Sequence, residues 1–148
     1  QYVLILETIE EDARLVPIWI GASEGSSIAL HMQSTQLPRP ITHDLIVNML
    51  KLFDATIKKI IISDLKDNTY YAIIEANYDK KLHQIDARPS DAVAIGVRCN
   101  ATLYIDEKVL EKCPKIERPI SEQDIEKFRS DMQNLSPEEF FRRLEQKE

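Results

Sequence analysis

The chain alternates between short runs rich in β-branched and aromatic residues and longer segments in which apolar residues have helical spacing. The runs that predict strands are 2–7, 15–20, 56–63, 69–77, 82–86 and 102–105. The segments that predict helices are 23–33, 42–53, 90–99 and 107–112. A polar turn at 66–68 separates two strand runs and predicts a hairpin. The pattern therefore indicates an α+β fold, with helices packed on a mixed, largely antiparallel sheet.

Two short amphipathic helices are predicted after a proline-containing linker at residues 114–119. Ser121 and Ser136 each stand three positions before an acidic residue, as in a capping box. Helices this short are not expected to be stable alone, so they should dock on the main body or on a partner subunit. The chain is thus divided into an α+β domain at 1–113 and a linker with a C-terminal helical pair at 114–148.

Residues 20–29 resemble residues 87–96. In each stretch a strand leads through a serine–acid pair into a helix of small and apolar residues. An alignment of Ser23 with Ser90 also pairs Glu24 with Asp91. The similarity predicts an internal strand–helix duplication whose helix starts are placed alike. Chance similarity is the alternative, since helix starts commonly have this composition.

Length, charge and missing motifs restrict the classes of function. At 148 residues the chain has the size of one domain, and no apolar run approaches the ~20 residues that cross a bilayer. No secretory leader is recognisable, so we expect a cytoplasmic protein without a membrane segment. The net charge of −6 argues against tight binding of long nucleic acid, which normally requires a basic face. With three glycines, the chain has no glycine-rich phosphate loop.

The segment from residue 86 to 91 concentrates polar groups at a predicted strand-to-helix turn. Asp86 and Asp91 supply carboxylates that can hold a hard cation such as Mg²⁺ or Mn²⁺. Arg88 has the charge and shape to bind phosphate, and Ser90 with the free amides of the helix start can receive an anion. In the alternative interpretation, Ser90 or Asp91 caps the helix and Arg88 pairs with a nearby acid.

A second polar cluster precedes the helix predicted at 42–53. Arg39 is a further candidate for phosphate binding, and His43 can act as a general base or a metal ligand. Glu24, at the start of the first helix, is a third candidate carboxylate. Each also has a structural interpretation, as part of a capped helix start behind a rigid proline loop or as a charge that favours a helix N-terminus.

Two motifs are the most specific in the chain, Asp86-Ala87-Arg88-Pro89-Ser90-Asp91-Ala92 and Arg39-Pro40-Ile41-Thr42-His43-Asp44-Leu45. Together with residues 16–21, Glu24, residues 28–30 and residues 61–65, in this order and spacing, they resemble the bifunctional nuclease domain family over about residues 2–113, although Gly25 and Ser26 depart from the family's usual residues. The resemblance implies an α+β fold, dimers, and a nuclease activity on RNA and DNA that is attributed to plant members of the family.

The leading hypothesis is a metal-assisted nuclease that hydrolyses phosphodiester bonds of RNA or DNA. Its residue roles are Asp86, Asp91 and Glu24 for metal binding or water activation, Arg88 and Arg39 for phosphate binding, and His43 for proton transfer. The alternative is a non-catalytic regulatory module, in which Arg88 and the helix start bind an anionic small molecule or a protein partner. A third interpretation is a structural cluster whose polar groups satisfy one another.

Overall fold

The computed structural model describes residues 2–11, 13–116 and 121–146. Its elements are β1 (Tyr2–Glu7), β2 (Leu15–Ile20), α1 (Ala22–Met32), α2 (Thr42–Leu52), β3 (Thr56–Lys66), β4 (Thr69–Tyr78), β5 (Lys81–Ala87), α3 (Pro89–Cys99), β6 (Thr102–Ile105), α4 (Glu107–Lys112), α5 (Glu122–Asn134) and α6 (Pro137–Glu145). Every predicted strand and helix is present, and the bounds differ from the predicted ones by a few residues at most.

The described strands form two sheets. β1 and β2 make a two-stranded antiparallel sheet, and the other strands make a four-stranded sheet in the order β5-β4-β3-β6. In the larger sheet β6 runs parallel to β3, with Lys59 opposite Thr102, whereas the remaining pairs are antiparallel. The fold is therefore α+β with a mixed, largely antiparallel sheet, which confirms the fold class predicted from the sequence.

One face of the four-stranded sheet packs against α3. Ile60, Ile62, Ala72 and Ile74 on this face belong to the main buried cluster, together with residues of α3. A Cβ atom at Gly96 would come within 2.7 Å of Cγ1 of Ile60, so α3 lies this close to β3 only because residue 96 has no side chain. We call this the core face.

The opposite side of the same sheet, which we call the open face, has no described helix packed on it. Cross-strand partners lie on the same face of a sheet. Ala87 is opposite Ala72 and therefore lies on the core face, whereas Asp86 is opposite Ile73 and lies on the open face. The chain leaves β5 from the edge of the sheet and enters α3 on the core face, which separates Asp86 from the helix that follows it.

The internal duplication is visible in the two strand-to-helix units, β2–α1 and β5–α3. In each unit one residue in extended backbone, Gly21 or Arg88, separates the strand from a helix of 11 residues. The helices start at Ala22 and Pro89, one residue before the predicted positions. At the second start this reflects the preference of proline for the first helical position. α1 and α3 pack against each other, so the two helix starts lie in the same region.

The C-terminal helices α5 and α6 dock on the β1–β2 hairpin. Leu15, Ile116, Met132 and Phe140 form a buried cluster there, and the ring centroids of Trp19 and Phe140 are 5.6 Å apart. The serines predicted to cap these helices do so. Part of the linker predicted at 114–119 lies outside the described residues.

In the described part of the chain, no helix combines the length and the apolar composition needed to cross a membrane. Both cysteines are free thiols, and Sγ of the buried Cys113 lies 3.2 Å from the hydroxyl of Tyr70.

Candidate functional site

The starts of α1, α2 and α3 meet in one polar network. Glu24 lies in the first turn of α1, His43 in the first turn of α2, and Asp91 in the first turn of α3. Arg88, the residue before α3, is bonded to Glu24 and Asp91, and Asp91 is also bonded to His43. Four residues that the sequence analysis proposed for the site therefore converge.

Arg88 bridges the two carboxylates. Its Nη2 donates to Oε1 of Glu24 at 2.7 Å and to Oδ1 of Asp91 at 3.1 Å, and its Nε donates to Oδ2 of Asp91 at 2.8 Å. The side chain of Arg88 is 66% exposed. Within the described residues its Nη1 has no acceptor, so this nitrogen can still donate to a ligand from solvent.

The network keeps both carboxylates ionised. The hydrogen bond from its own backbone N–H and the bond from Arg88 lower the pKa of Glu24. For Asp91, partial burial pushes the pKa up, but the hydrogen bonds from Arg88 and His43 outweigh it and the pKa is lowered. Asp91 and Glu24 in turn raise the pKa of Arg88. At neutral pH, Glu24 and Asp91 therefore carry two negative charges, and Arg88 between them carries one positive charge.

Gly21 leaves the space that the Glu24 carboxylate occupies. This carboxylate folds back over the start of its own helix, and a Cβ atom at Gly21 would overlap with its Oε2. Gly21 has a φ of −67°, which any residue can adopt. The requirement for glycine is therefore one of space at the site and not of backbone conformation.

His43 supports Asp91 from inside the protein. Its Nε2 lies 3.1 Å from Oδ1 of Asp91, and its Nδ1 lies 2.8 Å from Oγ of Ser27. The ionised Asp91 can only accept, so Nε2 carries a proton and donates it. The side chain of His43 is only 9% exposed, and both ring nitrogens are engaged, so His43 orients Asp91 and does not itself face solvent.

Arg98 determines how Ser27 bonds to His43. Nη2 of Arg98 donates to the carbonyl oxygen of Ser27 at 3.1 Å and to its Oγ at 3.0 Å. Because Oγ already accepts from Arg98, the hydroxyl proton is directed at Nδ1 of His43. A neutral imidazole protonated at Nε2 satisfies both of its contacts, and we assign this tautomer from the hydrogen-bond pattern.

The network ends at the start of α2. Nε of Arg98 donates to Oδ1 of Asp44 at 2.6 Å, and its Nη1 donates to the carbonyl oxygen of Ala94 at 2.8 Å. The bond from Arg98, with a further bond from the backbone N–H of Ile41, lowers the pKa of Asp44. Neither Ser27 nor Arg98 was predicted from the sequence as a site residue. Arg98 had a detectable signal, a charge two helical turns after Asp91 in a segment of small and apolar residues.

Three proposed residues do not join the network. Asp86 is exposed on the open face, and its side chain forms no hydrogen bond or ion pair with any described residue. Ser90 is buried, so its hydroxyl does not face a ligand in solvent. Arg39 is exposed in the loop before α2, where it lines a cleft that Asp44 and Arg98 also line, but the structure shows no bond between Arg39 and the network.

The donors that were expected to hold Mg²⁺ or Mn²⁺ are not arranged as a metal site. Asp86 and Asp91 lie on different sides of the sheet, and Arg88 bridges Glu24 and Asp91. Among the described residues, no three histidine, cysteine, aspartate or glutamate side chains are grouped so that they could bind one metal ion. The arrangement instead presents an exposed guanidinium that can donate to an anion, with an ionised carboxylate on each side of it.

Comparison with known proteins finds relatives over most of the chain. Two proteins of Mycobacterium tuberculosis, from strains CDC 1551 / Oshkosh and ATCC 25618 / H37Rv, are each 36% identical over 149 residues, and both are described as uncharacterized. Each alignment covers 95% of this chain and 88% of the relative, so it includes much of the C-terminal helical pair. The family model of the bifunctional nuclease domain matches residues 4–117. The chain thus belongs to the bifunctional nuclease domain family.

Proposed function

We propose that the protein hydrolyses phosphodiester bonds of nucleic acid at the surface formed by Glu24, Arg88 and Asp91. The observation that carries the proposal is the exposed guanidinium of Arg88, which has donors left for a phosphate and an ionised carboxylate on each side. Membership of the bifunctional nuclease domain family supports the same chemistry.

The proposed reaction begins when a phosphate oxygen accepts a hydrogen bond from Nη1 of Arg88. The phosphate then competes with Glu24 and Asp91 for the same guanidinium, which weakens the bonds that lower the pKa of both carboxylates. One of them takes a proton from water as the water oxygen attacks phosphorus. The bond from phosphorus to the leaving sugar oxygen breaks, and that oxygen takes a proton from solvent. His43 holds Asp91 in position throughout.

Dependence on Mg²⁺ or Mn²⁺ remains a prediction from the sequence. The arrangement of Glu24, Arg88 and Asp91 does not favour a resident ion, and none of the steps above requires one. The assay that tests the function also tests this prediction, because it compares each metal with a chelator.

The test is cleavage of end-labelled RNA and DNA by the pure protein, with Mg²⁺, with Mn²⁺ and with EDTA. Arg88→Ala, Glu24→Gln and Asp91→Asn should each reduce the rate at least tenfold, while Asp67→Asn, a matched change at the exposed β3–β4 turn, should not. Asp86→Asn tests whether Asp86 belongs to the site. It should reduce the rate only if this carboxylate on the open face takes part in cleavage. Wild-type rates in all three site variants would refute the proposed site.

A regulatory module that binds an anion at Arg88 is the second candidate. It is favoured by the lowered pKa values of Glu24 and Asp91, since carboxylates of low pKa are weak general bases. In this case native mass spectrometry should detect a bound anionic metabolite or protein partner that is lost in Arg88→Ala, and no nucleic acid should be cleaved. If Arg88→Ala lowers only the melting temperature, the cluster is structural.

We also propose that the protein forms a homodimer through the outer side of α2. Leu45, Met49, Leu52 and Phe53 follow one another at helical spacing on this side, and each is at least half exposed. Monomers seldom expose a large contiguous apolar patch, and a twofold axis allows such a patch to be covered by the same patch of a second copy. Light scattering should give the mass of a dimer, and Met49→Glu with Leu52→Glu should give that of a monomer.

A cytoplasmic location is proposed as well. Cys99 and Cys113 are both free thiols, and cytoplasmic thiols are kept reduced. Fractionation of cells that produce the tagged full-length protein tests this proposal.

A further inference from the structure

We propose that single-stranded nucleic acid binds across the open face of the four-stranded sheet and reaches the Arg88 site from there. The inference builds on the proposed function, because it specifies single strands as the substrate class and names the surface that holds them. It rests on the side chains that the strand register places on the open face.

The register produces two rows of side chains that cross all four strands of the open face. One row contains Asp86, Ile73, Ile61 and Tyr104, in the order β5, β4, β3, β6. The other row contains Gln84, Glu75, Lys59 and Thr102 in the same order. Ile61 and Ile73 are only half-buried and are outside the main buried cluster. The face therefore offers partly exposed apolar contact area, whereas Glu75 in the second row is buried and is paired with Lys59 and Gln84.

Two tyrosines on this face have lysines beside their rings. Tyr104 and Tyr71 are 52% and 41% exposed. Nζ of Lys59 is 5.6 Å from the ring centroid of Tyr104, and Nζ of Lys66 is 5.5 Å from that of Tyr71. Exposed aromatic rings stack on unpaired bases and lysines bind the adjoining phosphates, and this combination is typical of surfaces that bind single strands. A duplex keeps its bases stacked inside, so it does not match such a surface.

Lysines also surround one end of the face. Asp64 there is within 4.0 Å of three of them, at 2.6 Å from Lys112, 3.3 Å from Lys66 and 3.9 Å from Lys108. Around Asp64, three lysines share one carboxylate, although the whole chain has a net charge of −6. The local charge thus complements phosphate better than the chain as a whole does. The small excess is consistent with weak binding that depends on salt.

The candidate site begins directly after β5, the edge strand of this sheet. Ala72 pairs with Ala87 across β4 and β5. The next residue on each strand, moving towards the same end of the sheet, is Tyr71 on β4 and Arg88 after β5. A strand with one base on Tyr71 would pass around the end of β5, at the edge of the sheet, to bring a phosphate to Arg88.

The test is fluorescence anisotropy with a labelled single strand and the duplex of the same sequence, in EDTA and at low salt. The wild-type protein should bind the single strand more tightly. Tyr71→Ala with Tyr104→Ala should weaken this binding by about tenfold or more, as expected when base stacking is lost. Tyr78→Ala, which removes an exposed tyrosine at the end of the β4–β5 hairpin, is the matched control and should change it by less than about twofold, well below the loss expected for one stacked base.

Equal binding by the wild type and the double variant, or a preference for duplex, would overturn the inference. A double variant that changes from dimer to monomer in light scattering would also overturn it, because the face would then be a contact between two copies. Fluorescence anisotropy measures binding whether or not the strand is cleaved. Binding that depends on the tyrosines but leads to no cleavage would support the face and refute the nuclease, whereas cleavage unchanged in the double variant would leave the nuclease and refute the face.

Discussion

Nη2 of Arg88 donates to Oε1 of Glu24 across 2.7 Å, although the two residues are 64 positions apart in the chain. The same nitrogen donates to Asp91, so one guanidinium joins the starts of α1 and α3. These are the equivalent positions of the internal duplication, in which Glu24 corresponds to Asp91. The duplication thus brings two equivalent carboxylates to one arginine, so the site has two negative charges, one on either side of a single positive charge.

Loss of Arg88 should change how stability depends on pH. The folded state lowers the pKa of Glu24 and Asp91 from their ordinary values of 4.5 and 3.8. Groups with a lowered pKa stabilise the fold above their ordinary pKa, and this contribution is lost as pH falls through the folded-state value. Arg88→Ala should therefore melt below the wild type at pH 6 to 7 and converge with it as pH falls below about 4.

Calorimetry between pH 3 and pH 7 measures this effect. Arg129→Ala removes an exposed arginine without an ion pair among the described residues, and its melting curve should follow the wild type at every pH. A constant gap between Arg88→Ala and the wild type across the range would contradict the account, because the lost stabilisation would then not involve the two carboxylates.

Gly21→Ala should displace the carboxylate of Glu24 without disturbing the helix. The added Cβ overlaps with Oε2 of Glu24, whereas the backbone at residue 21 accepts alanine. We expect the pKa of Glu24, followed by carboxyl ¹³C chemical shifts, to rise towards 4.5. In a Glu24→Gln background the same alanine should have little further effect on stability. A pKa of Glu24 that stays low in Gly21→Ala would show that the side chain avoids the methyl group without leaving Arg88.

The fold was predictable from the sequence because its signals are local. The strand at 102–105 and the helix at 107–112 were predicted with the observed bounds, and the duplication followed from the similarity of two strand-to-helix stretches. The network was only partly predictable. Contacts within the turn, such as Arg88 to Asp91, are local, whereas the contact of Arg88 with Glu24 depends on how α1 packs against α3.

The separation of Asp86 from Asp91 has a simple geometric origin. In the sequence Asp86 and Asp91 are five positions apart, which suggested a shared site. The last residues of a strand alternate between the two faces of the sheet. Whether Asp86 or Ala87 faces the helices therefore depends on the register with β4, which sets Ala87 opposite Ala72. No local pattern in the segment fixes that register.

The tautomer of His43 provides a direct test of the inner part of the network. We expect ¹⁵N NMR at pH 7.5 to show a neutral ring protonated at Nε2, because Ser27 donates to Nδ1 and Nε2 donates to Asp91. Ser27→Ala should destabilise the fold by about 1–3 kcal/mol, since it leaves a buried Nδ1 without a partner. It should also change the ¹⁵N shifts of His43. His31 and His83, in the same spectra, serve as internal controls whose shifts should stay constant.

Arg98→Lys should be more damaging than its conservative chemistry suggests. The side chain of Arg98 is only 5% exposed, and it donates to Asp44, to Ala94 and twice to Ser27. An ammonium group cannot reproduce this planar set of bonds, so we expect a loss of about 1–3 kcal/mol in the free energy of unfolding. Urea unfolding measures it, with Arg129→Lys as the exposed control. A midpoint equal to that of the wild type would mean that the four bonds contribute no net stability.

Phe140→Ala tests whether the C-terminal helices dock on the β1–β2 hairpin as described. Phe140 is buried, and its ring centroid lies 5.6 Å from that of Trp19 and 6.2 Å from that of Phe128. Replacing a buried aromatic ring by alanine typically costs about 3–5 kcal/mol.

Trp19 is the only tryptophan of the chain, so its emission reports directly on this contact. We expect a shift of the emission to longer wavelength and a lower urea midpoint in Phe140→Ala, and neither change in Tyr78→Ala, which alters an exposed ring at the end of β4. If the emission of Trp19 in Phe140→Ala matches that of the wild type, Phe140 does not shield it and the docking geometry is different in solution.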